Sequence, residues 1–357
     1  MNKYLLLTIF LLLHLAAIFT FFPDRIIAST SKGHWEAITL IFMLEIVFIW
    51  FYMNGLSKFP GETIVDICLR TIGRWGACVL LLPLVVFLMG QMVLLIYYQT
   101  SQIRAVLLQS TPTAATTFLF LVLCFYGAWK GLAALIHASI GLFVLFIPFI
   151  LFSMLIGIKN FNFNYIFPVW DGTFSFLHHA DFYICFTILS SFLFLGMIPQ
   201  KERPVRFGRL AVGLGVVYVF GMGSVYIPLL VFGQESAVLL QYPMLMASDT
   251  IDLEWVVFDW LPSFSVVSSS GLAVLMASVL LWMSSSLLHQ LLVPKLNIKW
   301  MVSMLSLLVY ILCLFIPNIE VMNRYLQLNA FVSLFCVIGL PMMIFILGRW
   351  RGKKVST

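Results

Sequence analysis

Residues 113–157 read TAATTFLFLVLCFYGAWKGLAALIHASIGLFVLFIPFILFSMLIG, an apolar run whose one interruption is Lys130-Gly131. A hydrocarbon core of about 30 Å takes roughly 20 residues of α-helix. The run is therefore read as two crossings, near 113–129 and 132–157, reversing at Lys130-Gly131. Every later loop takes its side of the membrane from that turn.

Working outward, comparable apolar runs lie near 5–22, 36–56, 77–98, 182–199, 210–232, 264–292, 301–317 and 326–347, which makes ten spans. With 62% apolar and 10% charged residues and a mean hydropathy of +1.07, 357 residues do not fit one water-soluble core. The basic residues test the count. With the N-terminus inside, the inner loops hold Lys3; Lys58, Arg70 and Arg74; Lys130; Lys201, Arg203, Arg206 and Arg209; Lys295 and Lys299; and Arg349, Arg351, Lys353 and Lys354. Only Arg25, Lys32, Arg104, Lys159 and Arg324 fall outside, so both termini are expected to be cytoplasmic. The connection between spans seven and eight, on the outer side, carries Glu235, Asp249, Asp252, Glu254 and Asp259. Membrane topology thus accounts for the net charge of +6, and no nucleic-acid partner is expected.

The first apolar run exceeds the usual length of a signal-peptide core and has no small-x-small cleavage site after it, so it is read as a span. The six cysteines, Cys68, Cys78, Cys124, Cys185, Cys313 and Cys336, show no CxxC spacing, and neither a disulfide, a metal site nor a cofactor is expected. The polar connections are each too short for a soluble domain. Ten spans divide as five plus five, residues 1–158 and 181–348, around the outer segment 158–181. An odd number per half inserts the second half upside down, as in inverted-repeat transporters, where the first helix of each half is broken near mid-membrane. The fold class expected is an all-α polytopic membrane protein with a 5+5 inverted repeat.

Polar residues inside spans are costly in lipid unless they face protein or water. At 1.5 Å per residue His14 lies about 16 Å from Lys3, and Glu45 about 15 Å from Trp35 on the antiparallel second span. Both reach the midplane, either as a proton-coupled or ligand-contacting pair or as a structural hydrogen bond. Span three carries Gln91 near its middle and Tyr97, Tyr98 and Gln99 in its outer third, suited to closing a small pocket or to interfacial anchoring. Span six has Ser190 and Ser191 at mid-depth, before Gly196 and Pro199, which serve either a ligand or helix packing. Ser270, Ala273, Ala277 and Ser284 give span eight a small-residue face. Gly213-Leu214-Gly215 lacks the third glycine of a nucleotide fingerprint. No nucleophile elbow, Walker loop or HExxH is present, and His178-His179 reads as a solvated pair, so an enzyme is not expected.

Leu56-Ser57-Lys58-Phe59-Pro60-Gly61-Glu62-Thr63, followed by Ile72-Gly73-Arg74-Trp75-Gly76, resembles the B subunits of spore germination nutrient receptors. Thr111-Pro112, Tyr126 with Gly131, Phe167-Pro168-Val169 and Tyr242-Pro243 fall in the same order along nearly the whole chain. The resemblance implies a fold of the amino acid, polyamine and organocation transporter superfamily, LeuT-like. It also implies a subunit that senses an amino-acid-like nutrient in the inner spore membrane, beside a membrane-embedded A subunit and a lipoprotein C subunit. The ligand is then expected between spans one, three, six and eight. The candidate contacts are His14, Ala16, Ala17 and Thr20 of span one, Glu45 of span two, Gln91, Tyr97 and Tyr98 of span three, and Ser190 and Ser191 of span six. Where the family tends to have glycine in span one, this chain has His14-Leu15-Ala16-Ala17-Ile18, which favours an intact helix. A proton-coupled amino acid permease using the same pocket is the competing function, and an insensitive assembly partner a third.

Overall fold

The computed structural model describes residues 3–199, 206–250 and 261–355. Lys201 and Arg203 of the inner-loop basic residues, and Asp252, Glu254 and Asp259 of the acidic connection, lie outside the described residues.

Helices α1 (Lys3–Ser29), α2 (His34–Leu56), α3 (Ile64–Val106), α4 (Thr113–Lys130) and α5 (Leu132–Ile156) form the first half. After a segment of short 3-10 turns come α6 (Ala180–Ile184), which continues as a 3-10 helix over Cys185–Met197, then α7 (Phe207–Ala237) and the short α8 (Pro243–Asp249). The chain ends with α9 (Leu261–Leu291), α10 (Ile298–Leu314), α11 (Ile319–Leu334) and α12 (Leu340–Val355), the last two joined by a π-turn at Phe335–Gly339. Among the described residues nine helical stretches are long and apolar enough to cross a membrane, and α10 is a shorter tenth. They follow the order and number expected of a multi-pass membrane protein.

The turn that sets the topology is a single residue. Gly131 closes α4 and opens α5 with φ 84° and ψ 170°, a region in practice reserved for glycine. Its N–H reaches the Ala128 carbonyl at 3.1 Å, and its own carbonyl accepts from Leu135 at 3.2 Å, so this one residue bonds to both helices without further loop residues. Gly73, at φ 73° and ψ 175°, works the same way between the short leading part of α3 and its membrane-crossing part. That leading part starts with a capping box in which the Thr63 hydroxyl and Asp66 carboxylate each take the other's backbone N–H.

The two halves exchange partners. α3 lies along α9; α3 also packs on α10 and α11, while α9 packs on α4 and α5. Close approach is bought by small residues. A Cβ on Gly127 would sit 2.5 Å from Ser278 Oγ on α9, and one on Gly55 of α2 would meet backbone atoms of Ile344 and Phe345 on α12 at 2.7 Å.

The break expected in the first helix of each half is absent from α1, which runs unbroken through Ala16 and Ala17 to Ser29, past Pro23. Alanine offers none of the backbone freedom that unwinding needs. The second half does depart from α-geometry. The thirteen residues Cys185–Met197 wind as a 3-10 helix, with Thr187, Ser190 and Ser191 hydroxyls bonded to the carbonyls three residues back. At about 2.0 Å rise per residue this lengthens an 18-residue crossing from about 27 Å to about 33 Å, enough for the bilayer core.

Candidate functional site

Pro23 has no N–H, so the helical partner of the Phe19 carbonyl is missing from the last third of α1. Both residues, with Thr20 and Asp24, line a cavity closed by Tyr98 and Gln102 of α3, Ile150 and Ser153 of α5, Tyr242–Leu245 at the start of α8, and Ser265, Val266 and Ser269 of α9. The walls leave about 30 Å³ for the centres of water-sized molecules, room for about two waters and not for an amino acid. In this closed form α8 is the roof, set by Pro243 at its first turn.

Polar groups converge there. The Tyr98 hydroxyl donates to Asp24 Oδ2 at 2.8 Å, with the Gln241 carbonyl a second acceptor at 3.2 Å. The rings of Tyr98 and Tyr242 meet edge to face at 4.9 Å. Thr20 donates to the Ala16 carbonyl at 2.6 Å, which leaves its oxygen free to accept. Behind the wall Gln99 donates to Ser270 (2.7 Å) and Ser269 (3.2 Å), while its buried Oε1 has no partner among the described residues. Arg25, next to Asp24, turns away to Asp181 Oδ1 (3.0 Å) and Asn323 Oδ1 (2.7 Å).

A second polar centre lies deeper. His14 Nε2 and Glu45 Oε1 are 2.7 Å apart, both 1% exposed, so the two midplane residues picked out by their depth do meet. His14 Nδ1 lies 2.6 Å from the Phe10 carbonyl. A carbonyl only accepts, so Nδ1 carries a proton; the Nε2–Oε1 line then holds one more. The pair is either imidazole with a carboxylic acid or imidazolium with a carboxylate, and neutral overall in both forms.

Of the residues singled out in the sequence, the cavity brings together Thr20 and Tyr98. Ala16 and Ala17 are buried in α1. Gln91 is buried on α3 toward Asn329 of α11, 3.4 Å away, and Tyr97 is only partly buried. Ser190 is bonded within its own helix, and Ser191 reaches the Leu13 carbonyl at 3.4 Å, joining the 3-10 helix after α6 to α1 rather than facing the cavity. Asp24 was missed because it follows Pro23, where the apolar run ends and a loop is expected. The signal available was Pro23 itself, which is tolerated inside a span where a cavity or neighbour can take the freed carbonyl.

The segment between α5 and α6 is pinned to α2, to the turn before it and to α7. The Asp171 carboxylate accepts from the Thr173 hydroxyl (2.7 Å) and from the N–H and hydroxyl of Ser175 (2.8 Å each), with Lys32 Nζ 3.5 Å away. These donors hold its pKa down at about 2. Asp171 N–H in turn donates to Glu36 at 3.0 Å, and Trp35 Nε1 to the Val169 carbonyl at 3.0 Å. A Cβ on Gly33 would meet the Asp171 nitrogen at 2.7 Å, so the turn between α1 and α2 must be bare there. His178 and His179 are exposed.

A family model described as spore germination protein matches residues 1–322. No curated protein sequence matches the chain significantly. Among solved structures, the fold is similar to MHP1, a nucleobase-cation-symport-1 family transporter, in a closed conformation with bromovinylhydantoin bound. The identity is 12% and the TM-score 0.65, over 90% of this chain and 74% of that one. The architecture is that of LeuT-like transporters.

Proposed function

Because the chain belongs to the spore germination protein family, we propose that it is the ligand-sensing subunit of a germinant receptor, responding to a small amino-acid-like nutrient in the inner spore membrane. The observation that carries this reading is the closed polar cavity between α1, α3, α5, α8 and α9, set inside a transporter frame. Residues at the same cavity come from both halves of the molecule. A ligand that fits only when α8 and α9 shift against α1 and α3 stabilises one arrangement over the other, and that differential affinity is the signal. A membrane-embedded A subunit and a lipoprotein C subunit would receive it. The basic ends of the spans, with both termini, face the cytoplasm in this reading.

The test is germination of spores that lack the gene or carry Ser265→Trp, which fills the cavity, against a panel of amino acids and sugars. Loss of the response to one nutrient in both strains is expected; unchanged germination across the panel removes the sensing role. The His14–Glu45 pair favours a second reading, a proton-coupled amino acid permease, because a shared buried proton is a coupling device. Concentrative, proton-driven uptake by the reconstituted chain alone would replace sensing with transport.

A further inference from the structure

We infer that the cavity recognises a protonated primary amine, with Asp24 as the counter-charge; this rests on the cavity being the ligand site proposed above. Among the described residues no lysine, arginine or histidine lines the cavity, and Asp24 is the one carboxylic acid in its wall. Asp24 makes no ion pair among the described residues: the neighbouring Arg25 turns its two terminal nitrogens to Asp181 and Asn323, and its buried Nε has no hydrogen-bond partner there. Asp24 is partly buried, so a carboxylate there without a cation carries a desolvation cost that a ligand cation offsets.

The remaining groups suit an ammonium head better than an anion. An ammonium has three donors and no acceptor. Around Asp24 stand the Thr20 oxygen and the Phe19 residue whose carbonyl lost its helical donor to Pro23. Buried behind Ser269 is Gln99 Oε1, also without a partner. The Tyr98 and Tyr242 rings add π-faces of the kind that attract cations. A carboxylate in the same place would meet Asp24 as a like charge, with no basic side chain among the described lining residues to bind it. The space in the closed form takes a group of ammonium size, with the rest of the ligand held where α8 now sits.

Two sources share this chemistry, an α-amino acid and a simple alkylamine. The experiment measures thermal unfolding and equilibrium binding of the purified full-length protein with three probe series: the common amino acids, their 2-hydroxy acid analogues, and methylamine to butylamine. In the wild type an amine-bearing probe is expected to bind, and its hydroxyl analogue at least tenfold more weakly. Asp24→Asn should weaken the amine at least tenfold and narrow the gap between amine and hydroxyl. Tyr98→Phe, which removes a donor to Asp24 and keeps the ring, should retain amine selectivity. Binding by amino acids alone, or by alkylamines too, decides the source.

Equal binding of amine and hydroxyl probes by the wild type overturns the inference whether or not Asp24→Asn folds. If such a probe is still displaced by Ser265→Trp, the cavity stands as the ligand site and only the amine assignment falls. If Ser265→Trp leaves amine binding intact, the site lies elsewhere. If no probe shifts the wild type, both readings fail.

Discussion

His14 and Glu45 show how a single proton can fix a residue pair. The Phe10 carbonyl commits Nδ1, so Nε2 and Oε1 must share one proton between them. Glu45→Gln keeps a donor for Nε2 and should fold with a melting temperature close to wild type. Glu45→Ala leaves the imidazole nitrogen buried without a partner and should cost about 1–2 kcal/mol, read as a lower melting temperature in detergent. If the carboxyl takes part in the response, Glu45→Gln abolishes ligand response or proton-driven uptake despite normal abundance. A stable, fully active Glu45→Gln protein would make the pair purely structural. The pair was legible in the sequence because antiparallel spans of known rise place both residues at one depth. Asp24 was not, because hydropathy ends span one at Phe22 while the helix continues to Ser29. Gln91, Ser190 and Ser191 illustrate the other side of the same limit. Depth says that a polar residue is inside the bilayer, but the face it presents depends on the neighbours, and theirs are Asn329 and backbone carbonyls.

At the scale of elements, two glycines carry different burdens. Gly131→Ala meets no close atom, the nearest being Trp282 Nε1 at 4.0 Å. Its cost is conformational, about 1–3 kcal/mol from placing a Cβ at φ 84°. Gly55→Ala keeps a helical backbone but drives a methyl into the Ile344 backbone, so its cost of about 1–3 kcal/mol comes from pushing α2 off α12. A compensating change on α12 can relieve the second and not the first; thermal unfolding of each variant measures both.

The segment between α5 and α6 gives a pH prediction at the same scale. The Thr173 hydroxyl, then the Ser175 N–H, hold Asp171 at about 2, below its ordinary 3.8. Its contribution is therefore complete above about pH 4 and fades as pH falls toward 2. Proteolysis of the purified protein by an acid-active protease should cut within 158–179 increasingly over that window. Asp171→Asn should open the segment already at neutral pH, with cleavage rising several-fold. A pH-independent cleavage rate would show that the segment is held by its aromatic contacts, such as Trp35 with Trp170, instead.

For the whole molecule, the span count and the one-residue turn were legible from hydropathy and from the positions of lysine and arginine. The 3-10 winding of the sixth crossing was not, since no local propensity marks it and its side chains are buried throughout. The turn at Lys130-Gly131 carries the topology, and it makes a prediction about residues on either side. Gln109 precedes α4 and His178 follows α5, both exposed. Two crossings between them put them on the same side; a single crossing over 113–157 would put them on opposite sides. The native cysteines are buried apart from the partly buried Cys78, so Gln109→Cys and His178→Cys in a Cys78→Ser background report cleanly to an impermeant maleimide. Both should label in intact cells, while Lys58→Cys and Lys295→Cys should label only after permeabilisation. Labelling of Gln109→Cys without His178→Cys would break the turn. Labelling of the two lysine positions in intact cells, with Gln109→Cys and His178→Cys protected, would keep the helices and reverse their orientation, placing the cavity and its α8 roof on the cytoplasmic side.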